Sequence, residues 1–471
     1  MDKQEIPFLS ASELSRLIAS KEVSSVEATE AYLDRIDQVD EKLNSYITVT
    51  RDEALEAARE ADQAITAGRH LGPMHGVPIA VKDQFNTAGV RTTGGSRIMA
   101  GFVPQEDATV VANLKRSGAV LLGKLNMSEF AMAEIYDHPY GTPRNPWDLS
   151  RNPGTSSSGS GAATAAFLCA TSLGEDTGGS IRGPANQSGL VGLRPTWGRV
   201  SRYGVLGGSW SMDTVGPISR TVEDAAITFQ AIAGRDQKDP YTWDVPVPDY
   251  RRALDGNIRG LKVGVIKERA DSPLVAPEFR RAVTRAVGVL GELGAEVQEV
   301  SLPLTEGAGV ISMAIILLEW SSLHRNTFEP NFDLLDHNNK VRFLAGSVIP
   351  AQAYYKAQKL RALLRRQILD ALDQVDLLVL PAGPVTARPV ESAPGIQSKE
   401  EMAAGLAGRI SFTGPFNLAG VPALVLPCGF SSDNLPMGLQ IVGRPFAEDT
   451  VMKVAHAYEQ NTGWHTLRPP I

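Results

Sequence analysis

The chain has 471 residues, and its 46 lysines and arginines against 53 aspartates and glutamates leave a formal net charge of −7 at pH 7. That balance excludes a protein that coats nucleic acid, which needs a basic surplus to neutralise phosphates. A hydrophobic share of 43% marks an ordinary globular chain, and two cysteines, Cys169 and Cys428, exclude a disulfide framework or a cysteine-built metal centre and fit a reducing compartment.

The first residues, Met1 to Ile6, are charged and lack an apolar signal core, so a cytoplasmic protein is expected. Residues 1–70 read as a helical segment. Ser24-Ser25-Val26-Glu27 is a capping box, followed by Tyr32, Leu33, Ile36 and Val39 at helical spacing. Residues 51–68 are rich in alanine and glutamate up to Gly68 and predict a second helix. From Gly72 the pattern changes to short β-branched runs, Val77 to Val81 and Ala119 to Leu122, with a helix expected between them at 107–117. Strand alternating with helix predicts an α/β fold: one large α/β/α sandwich whose mixed, mostly parallel central sheet is covered by helices on both faces.

Residues 150–220 are dense in glycine and serine. Apolar residues and single charges are interspersed throughout, which argues against a linker and for tight turns that bring backbone amides close to a ligand. Further on, strands are expected at 261–266, 295–300, 376–380, 423–426 and 439–442, with a helix at 278–293. The mainly helical segment 301–375 is expected to cover one side. Its apolar run 311–318 is much shorter than the roughly 20 residues of a membrane span. With no repeat and no composition break, residues 1–471 read as one domain with a catalytic core at 72–225.

Several motifs fail on inspection. Gly118 to Lys124 has the spacing of a phosphate-binding loop, but Leu125 stands where serine or threonine should hold magnesium, and 119–122 is strand-like. Gly159-Ser-Gly161-Ala-Ala-Thr164 lacks the last glycine of a dinucleotide fingerprint. No serine stands in a G-x-S-x-G elbow, no S-x-x-K occurs, and the seven histidines form no H-x-H or H-E-x-x-H pattern, so no metal site is expected.

What remains is Gly178-Gly179-Ser180. Two glycines before a serine can expose consecutive N–H groups beside a hydroxyl, the arrangement of a nucleophile next to an oxyanion hole. Upstream lies a second serine cluster, Thr155-Ser156-Ser157-Ser158, and Lys82 ends the apolar run from Val77. A buried lysine loses its ammonium more readily and becomes a base, so a neutral Lys82 can deprotonate one serine that relays to the other.

These residues lie in text that closely resembles the amidase signature family: P-G-T-S-S-S-G-S-G-A-A at 153–163, G-E-D-T-G-G-S-I-R-G-P-A at 174–185 and V-G-L-R-P-T-W-G at 191–198. The resemblance extends to H-G-V-P-I-A-V-K-D at 75–83, G-A-V-L-L-G-K-L-N at 118–126, F-N-L-A-G-V-P-A at 416–423 and P-M-G-L-Q-I-V-G at 436–443, nearly the whole chain. It implies a serine–cis-serine–lysine amidohydrolase. Lys82 would be the base, Ser156, after a cis bond from Thr155, the bridging serine, and Ser180 the nucleophile. The amides of Thr177, Gly178, Gly179 and Ser180 would form the oxyanion hole, with Ser157, Asp176 and Arg182 in support. No cofactor is required. Thr155 and Ser158 depart from the glycines usual beside the serine pair.

The expected substrate is a small-molecule amide, with no direct nucleic-acid contact and no membrane, and a homodimer is the expected assembly. Met132 and Tyr136 are expected in the substrate pocket, with His138 and Tyr140 nearby. Two alternatives compete: the glutaminase component of a tRNA-dependent amidotransferase, to which the sequence is also similar, and an inactive amidase-like scaffold. The glutaminase holds the substrate ammonium with an acidic residue shortly before N-L-A-G, where this chain has Arg409 and Ile410.

Overall fold

The computed structural model describes residues 2–132, 137–390, 395–402 and 411–471. Its eleven strands are β1 (Tyr46–Val49), β2 (Pro78–Lys82), β3 (Val120–Leu125), β4 (Thr171–Glu175), β5 (Val191–Arg194) and β6 (Val215–Ser219), then β7 (Lys262–Ile266), β8 (Glu296–Val300), β9 (Leu377–Pro381), β10 (Ala423–Phe430) and β11 (Pro436–Gly443). Among the described residues they form one sheet in the order β1-β3-β2-β4-β6-β5-β10-β11-β9-β7-β8.

The sheet is mixed. Its parallel pairs, β3–β2, β2–β4, β9–β7 and β7–β8, occupy two separate regions. The expectation of a mostly parallel sheet is corrected at the centre and at one edge, where every remaining pair is antiparallel. The connection 431–435 between β10 and β11 is far too short for the crossover that parallel strands need, so that pair must be a hairpin.

Strand β9 shows how both faces are buried. Leu377 and Val379 join one core with Leu424, Leu439 and the helices Val222–Ile232, Pro277–Glu292 and Glu448–Gln460. Leu378 and Leu380 join a second core with Trp320, Leu364 and Phe416, from the helices Ala308–Phe328, Ala351–Leu372 and Gly414–Ala419. The period-2 alternation of a strand sends successive residues to opposite faces, and helices close each.

The helix Ser25–Leu43 starts at the expected capping box, with Ser24 and Glu27 exchanging bonds. The segment 2–70 consists of helices and their short connections, with the addition of β1, which pairs with β3 at the sheet edge. In the covering segment, Pro303–Leu334 is long and apolar enough to cross a membrane, but 61% of its most apolar window is buried inside the fold, the mark of a core helix.

Candidate functional site

Lys82 is the last residue of β2, and β2 runs parallel to β4 with Ile79 opposite Thr171 and Val81 opposite Leu173. That register sets Lys82 beside the carboxyl end of β4, where Glu175 ends the strand and the loop 176–181 begins. Crevices at the carboxyl ends of parallel strands are where α/β sheets bind ligands. The Ser156–Ser158 turn enters the same space at the start of the helix Ser158–Ala165.

Lys82 Nζ lies 2.8 Å from Ser156 Oγ, and both residues are buried. Burial pushes the lysine down to about 8 from its ordinary 10.5, against the opposing pull of Glu175, Asp213 and Asp176. The peptide bond between Thr155 and Ser156 is cis. Ser128 N donates to Ser156 O at 3.1 Å and fixes the turn against the loop after β3.

Ser180 is half-buried. It lines a cavity of about 150 Å³, a volume that admits a benzene-sized group, together with Thr155, Thr177, Gly178 and Thr413. Met132, Met313, Ile316 and Leu317 supply an apolar wall, and Arg388 is the charged side chain among the described lining residues. Ser180 thus lines the cavity, while Lys82 and Ser156 are buried next to Thr155 and do not line it.

The amides around Ser180 divide into two sets. Gly179 N donates to Asp176 Oδ1 at 2.8 Å and Ile181 N to Asp176 Oδ2 at 3.2 Å. The expectation that Gly179 joins the oxyanion hole is therefore corrected, because its hydrogen is already committed. Thr177, Gly178 and Ser180 have no partner for their N–H groups among the described residues.

Asp176 is the buried hub of this loop. Arg182 Nη2 reaches its Oδ1 at 3.0 Å, Arg194 Nη1 at 3.3 Å, and Asn417 Nδ2 donates to it at 2.6 Å. Burial alone would raise its pKa, but the two guanidiniums outweigh burial and hold the carboxyl far below the usual carboxylate range. Arg182 also donates to Thr413 O at 3.0 Å and Gln440 Oε1 at 2.6 Å, so the loop is tied to β11 and to the helix Gly414–Ala419. Ser157 Oγ donates to Glu175 O at 3.4 Å, a backing contact to β4.

Met132 is buried and lines the cavity, whereas Tyr136 and Ile410 lie outside the described residues. Tyr140 donates to Ser96 O at 3.0 Å instead of entering the cavity. Thr155 lines the cavity, and Ser158 is buried with its hydroxyl unpartnered among the described residues, consistent with a position where glycine fits better. Sequence reasoning missed Arg194, Asp213, Thr413, Asn417 and Gln440. Arg194, Asn417 and Gln440 stand in quoted motifs and Thr413 just before one, so the signal was present for these, but nothing in one sequence shows which motif residues converge. Among the described residues no group of three or more His, Cys, Asp or Glu side chains is arranged to hold a metal ion.

Comparison with known proteins places this geometry in context. The model of the family described as Amidase matches residues 27–452. The A-type component of the glutamyl-tRNA(Gln) amidotransferase of Moorella thermoacetica is 44% identical, the alignment covering 99% of each chain. Among solved structures, a chain from a vestigial protein complex described as revealing the origins of an s-triazine catabolic enzyme superposes with TM-score 0.88 at 32% identity, covering 96% of this chain and 98% of that one. The peptide amidase of Stenotrophomonas maltophilia superposes with TM-score 0.84 at 33% identity, covering 98% of each.

Proposed function

The chain belongs to the amidase family, an enzyme family of carbon–nitrogen hydrolases, and from that premise we propose that it cleaves a carboxylic amide through an acyl-enzyme on Ser180. The observation that carries this reading is the buried Lys82–Ser156 contact behind a serine that opens to a cavity beside three uncommitted amides. Lys82, as the neutral amine, accepts the proton of Ser156, and Ser156 accepts that of Ser180. Ser180 Oγ then attacks the carbonyl carbon. The oxyanion is held by the N–H groups of Thr177, Gly178 and Ser180. The proton returns through Ser156 to the leaving nitrogen as the carbon–nitrogen bond breaks, and water, deprotonated along the same relay, releases the acid. The residues need no metal or organic cofactor, and a cytoplasmic enzyme of small amides fits the composition.

A second reading is favoured by a specific observation: the 44% identity to an amidotransferase component along the whole chain. In that reading the same acylation step releases ammonia from glutamine for a partner protein. A free α-ammonium needs a carboxylate in the pocket, and the described lining residues supply Arg388 and no acid. The purified chain assayed alone on aryl, aliphatic and urea-type amides and on L-glutamine separates the two. Hydrolysis of simple amides without a partner supports the amidase. Activity on glutamine alone, gained only with a co-purifying partner, supports the amidotransferase component. Failure of a fluorophosphonate to label the folded protein would leave only an inactive scaffold.

A further inference from the structure

Behind Lys82 stands a pair of carboxyls that the proposed relay does not use. Glu175 and Asp213 are both buried, and a single hydroxyl, Thr177 Oγ1, lies between them, 2.8 Å from Glu175 Oε1 and 2.7 Å from Asp213 Oδ1. A threonine hydroxyl has one hydrogen and can donate to one of these oxygens only. The other contact would set two acceptors against each other unless that carboxyl carries a proton and donates to Thr177.

The surroundings decide which one does. Asp213 accepts two backbone hydrogens, from Gly208 N at 2.8 Å and Ser209 N at 2.7 Å, bonds that favour the ionised form. Among the described residues Glu175 Oε2 has only long contacts, from Gln84 Nε2 at 3.4 Å and Lys82 Nζ at 3.7 Å. The groups facing Glu175 are Lys82 on β2, Asp213 before β6, Asp176 next to it in the chain and Arg194 of β5, whose guanidinium is engaged by Asp176. Burial first, and then the charge of Asp213, push Glu175 up to about 8, in the same direction as the geometry.

We propose that Glu175 is a positioning residue held as the neutral acid, its proton donated to Thr177 and Thr177's to Asp213, so that Lys82, 3.7 Å from Glu175 Oε2, faces no counter-ion there and gives up its proton readily. This rests on the reading of Lys82 as the base. An ionised Glu175 at that distance would keep the ammonium charged and silence the relay.

The test uses isotope-edited infrared difference spectra and pH–rate profiles. With 13C-glutamate labelling at pH 7, the wild type should show a protonated-acid carbonyl band that disappears in Glu175→Gln; a spectrum without that difference overturns the proposal. In Glu175→Gln the midpoint of the rise of kcat/KM with pH should stay in place. If it falls by about one unit or more, as removal of a negative neighbour requires, Glu175 was ionised. Thr177→Val removes the bridging hydroxyl. It should move the midpoint up by about one unit, roughly a tenfold loss at pH 7, and Glu175→Gln in the same chain should restore the midpoint. Absence of rescue would mean that Thr177 acts only structurally and would refute the chain of donors. The infrared band is independent of turnover, so a Lys82 that proved not to be the base would fail without taking the Glu175 assignment with it.

Discussion

Replacing Lys82 by methionine should abolish turnover and make the protein more stable. A fall from 10.5 to about 8 means that the fold disfavours the ammonium by about 3 kcal/mol, at roughly 1.4 kcal/mol per unit. The sign follows from proton counting. Below pH 8 both folded and unfolded chains carry the proton, and the folded chain bears the whole penalty of burying it. Between 8 and 10.5 only the unfolded chain holds the proton, so wild-type stability rises with pH and the penalty fades. Methionine is neutral, unbranched and of similar length, and volume-matched core exchanges cost less than about 1.5 kcal/mol. The net gain at pH 7 should be about 2 kcal/mol, shrinking toward pH 10. Urea unfolding at pH 7 and 9.5 measures it alongside amide turnover. The contrary result is as sharp. If Glu175 were an ionised partner of Lys82, the variant would strand a buried carboxylate and lose about 3–5 kcal/mol. A destabilised Lys82→Met would end the reading of Lys82 as a neutral base.

Ser180→Ala should lose turnover and fluorophosphonate labelling with an unchanged urea midpoint; retained turnover would remove Ser180 as the nucleophile. With Lys82 near 8, kcat/KM should rise about fivefold from pH 7 to 8 and less than twofold from 8 to 9, while Lys82→Arg, charged throughout, should be nearly inactive at every pH. Asp176→Ala strands the buried guanidiniums of Arg182 and Arg194 and should cost about 3–5 kcal/mol in urea unfolding; a loss under about 1 kcal/mol would mean that the network around Asp176 does not hold the loop.

The strands legible in the sequence were the β-branched runs of β2, β3 and β7 to β11, and the three reactive side chains were legible from motifs. The strands against which the nucleophile loop packs were not. Strands β4, β5 and β6 read Thr-Ser-Leu-Gly-Glu, Val-Gly-Leu-Arg and Val-Gly-Pro-Ile-Ser, each with an interior glycine, and β6 with a proline that argues against a central strand. The structure supplies the reason. A Cβ on Gly174 would come within 3.1 Å of Ile181, on Gly192 also within 3.1 Å, and on Gly216 within 3.2 Å. The three missing side chains form a hollow in adjacent strands that seats Ile181, the residue after Ser180. The same glycines that erase the strand signal let the nucleophile loop lie close against the sheet. Gly192→Ala tests this. Its Cβ would stand 2.6 Å from Ala185 Cβ, so the helix Arg182–Ser188 must lift and carry Ile181 and Ser180 with it. The variant should lose about 1–3 kcal/mol of stability, as overpacking does, and most of its turnover. Adding Ala185→Gly removes the closest clash, and turnover should recover while a helix-propensity cost of about 1 kcal/mol remains. If Gly192→Ala alone keeps both stability and turnover, the hollow does not position Ser180, and the glycines in these strands need another explanation.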